Sequence, residues 1–351
     1  MLRKIINCCG QWSFVIAMVA VNFAFAITNA LFKMTLNEGM NGVIILIYRH
    51  TISVICLTPI AFFRERKSRP KLTPSIMCQL FFNALIGLVL TQYFFLLGLQ
   101  YTSPTFTCAF LNIVPAITLV LALPFRLEKV NIGNKSGKAK VVGTLVCIGG
   151  AMVLTLYKGR TLVGSSNSSD NNTKVVATKK KDRWGIGPIF PMAGAVCFSS
   201  WFLLQSRIGK VYPCKYSSTA FMSLFSAFQS TILGLLTERE FTKWILKDEL
   251  EVTTVIIAGI VASGLCYVGM SWCVEHKGPV FTSAFSPLVQ IFVAMFDFSF
   301  LHGKIYLGSV IGSILIVIGL YILLWGRNSE AQEMKQPQEG EEKDCNVRSQ
   351  V

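Results

Sequence analysis

Charge is scarce in this sequence. Charged residues make up 15% of its 351 positions, with 18 Asp or Glu against 33 Lys or Arg and only three His. A catalytic centre of clustered ionisable groups is therefore hard to assemble. His50, His276 and His302 fall in separate runs or loops, and carboxylates inside the apolar runs are nearly absent. The eleven Cys are scattered, mostly within apolar runs (Cys56, Cys108, Cys147, Cys197, Cys266). No pair has metal-site spacing, and Cys8 and Cys9 are simply adjacent. They read as small apolar residues, not as a disulfide framework or a metal centre. No ATP-binding motif is present either, and no cofactor is expected.

What is abundant is apolar sequence, 52% of the chain. It comes as ten charge-poor runs, roughly 13–35, 42–63, 76–98, 104–125, 140–157, 184–205, 217–236, 252–273, 279–301 and 305–325. About twenty apolar residues is the length of helix that crosses the hydrocarbon layer, so the expectation is an all-α polytopic membrane protein in a lipid bilayer. Ala24-Phe25-Ala26 resembles a signal-peptidase site, but the apolar run continues to Phe32 and is read as a span. The net charge of +15 would suggest nucleic acid in a soluble chain. Here the basic residues lie between the runs, where Lys and Arg orient membrane proteins, and no nucleic-acid partner is expected.

The chain is written twice. PTFTCAF, Pro104 to Phe110, returns as PVFTSAF, Pro279 to Phe285, with five of seven residues identical. Further on, Gly143 aligns with Gly312 and Gly150 with Gly319. Spans four and five thus correspond to spans nine and ten, giving two copies of a five-span unit. Two tandem copies of an odd unit enter the membrane from opposite sides, the inverted-repeat plan. The expected organisation is a cytoplasmic N-terminus (1–12), a first five-helix repeat (13–157), a polar extracytoplasmic linker (158–183), a second repeat (184–325) and a disordered cytoplasmic tail (326–351).

Loop charge agrees. The loop after span two carries five basic residues in RERKSRPK, whereas ERE…KDELE after span seven is richer in acid. After span four come Arg126, Lys129, Lys135, Lys138 and Lys140; after span nine, only Lys304. Spans one and three are followed by no basic residue, but span six is followed by Arg207, Lys210 and Lys215, and span eight by Lys277. Both chain ends then lie in the cytoplasm. The linker disagrees, with seven basic residues on the outer side. It also holds two glycosylation acceptor patterns, at Asn167 and Asn171.

Breaks inside a span must face protein or a water-filled cavity. Pro115 in span four and Pro287 in span nine each free a carbonyl, of Leu111 and Ser283 respectively. In the repeat alignment Asn112 faces Pro287 and Pro115 faces Gln290, so each half offers one Pro and one amide at the same two places. Asn22, Ala26, Asn29 and Lys33 share one face of span one. Gln92 and Trp272 are further candidates to line a polar route. Arg49 lies about 10 Å into span two by helix rise, where a guanidinium is a functional candidate by default. It is read first as a structural or gating charge, with Asp297 as the partner to test. Gly143, Gly150, Gly312 and Gly319, like Gly308 and Gly259-Ser263, form small-residue faces. Packing within the chain is the first reading and a homodimer the alternative.

The chain also resembles the plant EamA-like branch of the drug/metabolite transporter superfamily, the "walls are thin"-related or UMAMIT (nodulin-like) transporters. The resemblance covers residues 10–328. It is carried by ALFKMTLNEGM, YRH, FFRERKSRPKLT, GLQYTSPTF, NIVPAITLVLALPFRLEKVN, KAKVVGTLVCIGGAMVLTLYKG, FSPLVQIFVAMFDF and YLGSVIGSILIVIGLY. It implies ten helices in two inverted five-helix repeats, and bidirectional or exporting carriage of amino acids; with the inverted repeat, alternating access by rocking one repeat against the other is the expected mechanism. Indolic acids such as auxin are the alternative cargo. It places Asn22, Gln92, Asn112, Pro115, Trp272, Pro287 and Gln290 along the substrate route, and implies the plasma membrane, with the vacuolar membrane as alternative. The chain departs from the pattern at Asn22 (Gln in many relatives), at Thr91-Gln92-Tyr93 (Asp-Gln-Asn), at Leu119 (Phe) and at His302-Gly303 (an acidic residue); Glu128 is retained. Nucleotide-sugar or phosphate-ester carriage would want several buried cations, and only Arg49 clearly lies within a span. A membrane receptor or scaffold is the alternative from another class, and no enzyme activity is expected.

Overall fold

The computed structural model describes residues 2–67, 69–101, 110–125, 134–157, 161–163, 188–240, 244–246, 248–301 and 305–348, with side chains omitted at 2–11, 37, 99–100, 161–163, 297–301, 305–306 and from 330 onward. Its helices are α1 (Leu2–Asn37), α2 (Gly42–Glu65), α3 (Pro74–Ala84, a π-helical Leu85–Leu90, then Thr91–Tyr101), α4 (Val114–Ala122) and α5 (Lys135–Leu156). Then follow α6 (Ile189–Val211), α7 (Lys215–Thr237), α8 (Glu249–Ile257, a π-helical Ala258–Cys266, then Tyr267–Lys277), α9 (Pro279–Ala284 and Leu288–Leu301) and α10 (Leu307–Arg348). Among the described residues nine helices are long and apolar enough to cross a membrane. The tenth run contains α4, and its first part, Pro104 to Ala109, lies outside the described residues.

Local chemistry sets the helix ends. Asn41 caps α2 by accepting from the Val43 N–H. Thr73 caps α3 by accepting from Ile76 N, with Pro74 in the first turn where its missing N–H costs nothing. Asp248 and Glu251 form a capping box on α8. Gly278, at φ 84°, ends α8 and lets Pro279 start α9 at once. Span six starts later than expected, at Ile189, and runs on to Val211. Arg207 extends over the Phe125 ring at its far end, 4.5 Å from the centroid, so charge there does not end the helix. Where a disordered tail is expected from 326, α10 continues to Arg348. Glu, Gln and Lys are frequent in that stretch and are good helix formers, against Pro337 and Gly340, which are not.

The repeat relation appears in the packing. α1 packs on α8 and α9, and its repeat partner α6 packs on α3 and α4. α2 packs on α8 as α7 packs on α3, while α2–α7, α4–α9 and α5–α10 each join an element to its own partner. Each of these contacts thus has an equivalent under a two-fold exchange of halves.

The self-paired helices give the direction. A Cβ added at Gly143 would stand 2.8 Å from the Gly319 carbonyl oxygen, and one at Gly150 would stand 2.9 Å from that of Gly312. Exchanging the halves turns the first contact into the second, and α5 and α10 therefore run antiparallel. Tandem copies facing the same way would put them parallel. The small-residue faces are thus consumed inside the chain, letting two backbones touch as in small-xxx-small helix pairs. Gly259 is used likewise, its position 2.7 Å from Ile52 Cβ.

α2 and α7 are also antiparallel, tied at mid-length by Ser53 and Ser223, Oγ to Oγ 3.1 Å. At one end Glu65 accepts from the backbone N–H groups of Tyr216 (2.9 Å) and Ser217 (2.7 Å), a carboxylate on the N-terminus of α7. At the other end Glu238 accepts from Asn41 Nδ2 at 3.1 Å, beside the N-terminus of α2. The two clasps are images of one another.

Both partners α3 and α8 contain a π segment at the same place. β1 (Thr161–Val163) pairs antiparallel with β2 (Ile305–Tyr306), which holds the start of the linker beside the connection between α9 and α10. Large apolar side chains such as Phe63 (83% exposed), Leu236 (74%) and Tyr321 (70%) point outward, as required where the surrounding medium is lipid.

Candidate functional site

The broken helices meet. α4 is preceded by a turn at Asn112 and Ile113, and α9 is interrupted at Phe285, Ser286 and Pro287. Asn112 Nδ2 donates to Gln290 Oε1 at 3.1 Å and approaches Thr155 Oγ1 at 3.4 Å. Thr155 Oγ1 lies 3.1 Å from the same Gln290 oxygen and donates to the Ala151 carbonyl at 2.6 Å. The two amides from opposite repeats therefore share one locus with a hydroxyl from α5. Pro115 and Pro287 are both buried beside it.

One expectation at this break is corrected. The Ser283 carbonyl is not left free, because the Ser286 N–H donates to it at 3.0 Å. From Phe285 to Gln290 the backbone is wound in i to i−3 bonds, the tighter turn that satisfies orphan carbonyls at helix ends. The polar atoms offered here are side-chain amides, not a bare Ser283 carbonyl.

A second locus lies where the π segments end. Gln92, on α3, lies close to the Tyr267 hydroxyl, on α8. Each residue follows its own π segment within two positions. Thr91 turns its hydroxyl back to the Ile86 carbonyl, five residues earlier, at 2.9 Å. It thereby closes the wide turn. Tyr267 is 2% exposed and is met edge-on by Trp201 at 5.2 Å and by Phe25 at 6.2 Å.

Arg49 reaches this region from α2. It is 6% exposed, and its Nε donates to Ser263 Oγ, on the π segment of α8, at 2.6 Å. Its charge also lies within electrostatic reach of Tyr267 and Cys266. The Asp297 side chain, the partner expected from the sequence, lies outside the described residues.

The remaining candidates separate. Asn22 is buried, but its Nδ2 donates to the Met18 carbonyl of its own helix at 2.6 Å. The polar face of α1 is split, with Asn22 and Ala26 buried and Asn29 and Lys33 exposed. Trp272 stacks on Phe14 at 4.5 Å, with Lys215 Nζ 5.4 Å from its ring and His276 at 5.8 Å. Phe14 lies eight residues before Asn22, about 12 Å along α1, so Trp272 belongs to an aromatic box near the chain's basic face. On the partner elements Tyr101 and Phe190 stack at 5.4 Å, an equivalent contact at the other end. Between the boxes Met18, Val21, Val114, Trp201, Met270 and Phe285 form a continuous apolar core.

A shallow groove of about 660 Å³, lined by Phe110, Pro188, Ile189, Met192, Ala193, Val196 and Cys197, opens on the flank of α6. It presents no polar atom to recognise a solute. Among the described residues no His, Cys, Asp or Glu group could hold a metal ion. Asn167 and Asn171, Glu128, and His302-Gly303 lie outside the described residues.

Sequence reasoning missed Tyr267, Thr155 and Trp201, and read Ser263 only as a packing residue. A single hydroxyl or ring in an apolar run carries no pattern of its own, and only the fold brings these groups to the amides.

Comparison with known proteins now adds to this geometry. The profile of the EamA-like transporter family matches residues 12–156 and again 185–325, one match per repeat. A WAT1-related protein of Arabidopsis thaliana is 48% identical over 321 residues, covering 91% of this chain and 88% of that protein. A second, from the same plant, is 49% identical over 324 residues with the same coverage. A solved crystal structure superposes with a TM-score of 0.66 at 15% identity, covering 90% of this chain and 97% of that one; at that identity it speaks to the fold alone.

Proposed function

We propose that the chain, which belongs to the EamA-like transporter family and is a multi-pass membrane transporter, carries amino acids or related small metabolites. It would do so by alternating access, rocking one repeat against the other around the amide pair. No ATP-binding motif is present, so the drive is a concentration gradient, in a bidirectional facilitator or exporter.

The observation that carries this reading is the Asn112–Gln290 hydrogen bond. It joins the two repeats at the helix breaks, where relative motion of the halves would part the amides and leave both free for a polar solute. A buried amide without a partner is expensive, so bound cargo would replace each amide's partner. The Phe14–Trp272 and Tyr101–Phe190 stacks sit where closures on either side of such a site belong.

The aromatic walls around Tyr267 favour indolic acids as the second cargo class, since stacked rings suit a flat heterocycle. The cell surface is the proposed membrane and the vacuolar membrane the alternative, with both chain ends cytoplasmic.

The test is counterflow in liposomes holding the purified chain, with labelled glutamine, tryptophan and indole-3-acetic acid. Saturable exchange of at least one is expected. A receptor or scaffold would give none.

A further inference from the structure

Arg49 is an unusual cation. It is buried in α2, about 10 Å along the helix from Gly42. Its Nε is satisfied by Ser263, but its Nη2 is buried without a hydrogen-bond partner among the described residues. The neighbouring His50 is 0% exposed, and both of its ring nitrogens are likewise without partners. A guanidinium kept for architecture ends on a carboxylate or on carbonyls, because its planar fork is built for paired acceptors. Here, among the described residues, only Nε has an acceptor and the buried Nη2 has none.

The surroundings are built, not accidental. Ser263 lies on the π segment Ala258–Cys266, the kind of helix insertion that recurs at functional sites. Gly259, one turn earlier, brings α8 against α2, its added Cβ standing 3.0 Å from the Arg49 carbonyl. Immediately after Cys266, Tyr267 lies close to Gln92 of α3. Polar groups of Ser263, Tyr267 and Gln92 thus gather at or beside the two π segments, near the Arg49 guanidinium.

We propose that Arg49 is the carboxylate anchor of the transport site: its free Nη2 takes one oxygen of a monocarboxylate cargo that lodges between α2, α3 and α8. One guanidinium with one nitrogen already committed to Ser263 matches a single negative charge. A phosphate ester, with about two charges, would call for further cations, and among the described residues no second cation hydrogen-bonds Ser263 or Tyr267. Arginine is the residue suited to fixed, planar carboxylate recognition. The anchor deepens the carrier reading and rests on it. It makes the carboxylate common to amino acids and indolic acids the recognised group, and leaves the aromatic walls to sort the rest of the molecule.

The experiment uses the full chain in liposomes, loaded with labelled tryptophan. Unlabelled tryptophan and indole-3-acetic acid compete beside tryptophanamide and indole-3-acetamide. The expected result is competition by the acids at least about tenfold stronger than by the amides, the size of one lost charge-assisted bond. Arg49→Gln should abolish that preference, and Arg49→Lys should keep part of it. An Arg49→Gln chain that elutes as wild type yet slows acids and amides alike overturns the anchor, since a structural residue does that. Equal competition by acids and amides in the wild type overturns it too, whether or not either variant folds. If the wild type exchanges nothing, the carrier reading fails. Thermal stabilisation of the detergent-solubilised chain by the acids, and not by the amides, then decides the anchor separately.

Discussion

Substituting Gly319 by Ala puts the antiparallel α5–α10 seam under direct test. A Cβ there would lie 2.5 Å from the Cys147 backbone nitrogen and 2.8 Å from the Gly143 carbonyl oxygen. Both obstacles are backbone, so no rotamer change relieves them. Ordinary contacts between such atoms are about 3.5 Å, so the helices must separate by most of an ångström. Separation loosens the reciprocal contacts at Gly143, Gly150 and Gly312. Overpacking of this kind costs about 1–3 kcal/mol, while Gly to Ala in a helix returns at most about 1 kcal/mol. The net expectation is a loss of about 1–2 kcal/mol. Gly149 is the internal control: it sits on the same helix as Gly143 and Gly150, and an added Cβ meets nothing within 4 Å. Gly149→Ala should be neutral or stabilising. The assay is thermal unfolding of the purified chain in detergent, followed by tryptophan fluorescence and by the monodisperse fraction on gel filtration. Equal midpoints for Gly319→Ala and Gly149→Ala would refute the seam, as would Gly319→Ala unfolding later than the wild type.

Asn112→Ala and Gln290→Ala should each cut exchange of labelled glutamine at least about tenfold while unfolding within about 2 kcal/mol of the wild type, the cost of a buried amide losing its partner; unchanged exchange in both would remove the amide pair from the route. Glu65→Ala leaves the Tyr216 and Ser217 amides without their acceptor and should cost about 1–2 kcal/mol in the same melting assay; an unchanged midpoint would remove the clasp from the account. Cys214, between α6 and α7, has its thiol pushed up chiefly by burial and then by the nearby Glu65 carboxylate. A raised thiol stays protonated at neutral pH, so its maleimide labelling, read by mass spectrometry, should still be climbing above about pH 8.5, where an ordinary thiol is half ionised; a plateau below that would contradict the buried placement.

Much of the architecture is legible in the residues because it obeys counting rules. Run length gives spans, an odd repeat gives inversion, and loop charge gives a sign. One proline and one amide at matching places in each half are legible too, because Pro104–Phe110 and Pro279–Phe285 fix one register for both helix breaks; that Asn112 and Gln290 touch is known only from the fold. What periodicity cannot say is which face of one helix meets which face of another. Ser263 is therefore legible as a small residue but not as a partner of Arg49. The π segments at Leu85–Leu90 and Ala258–Cys266 leave no mark in composition, yet they set the Gln92–Tyr267 contact. The face of α1 looked continuous from Asn22 to Lys33 because spacing is blind to where neighbouring helices end. The glycines were read correctly as close-packing residues, and only the fold decides that the partner is the chain's own other half.

The central claim is that two five-helix units lie inverted about one polar locus. Small epitope tags at residue 1, within 164–187 and after Val351, probed in sealed vesicles before and after permeabilisation, test it most directly. The two end tags should share the cytoplasmic face with the middle tag opposite; end tags on opposite faces would contradict it.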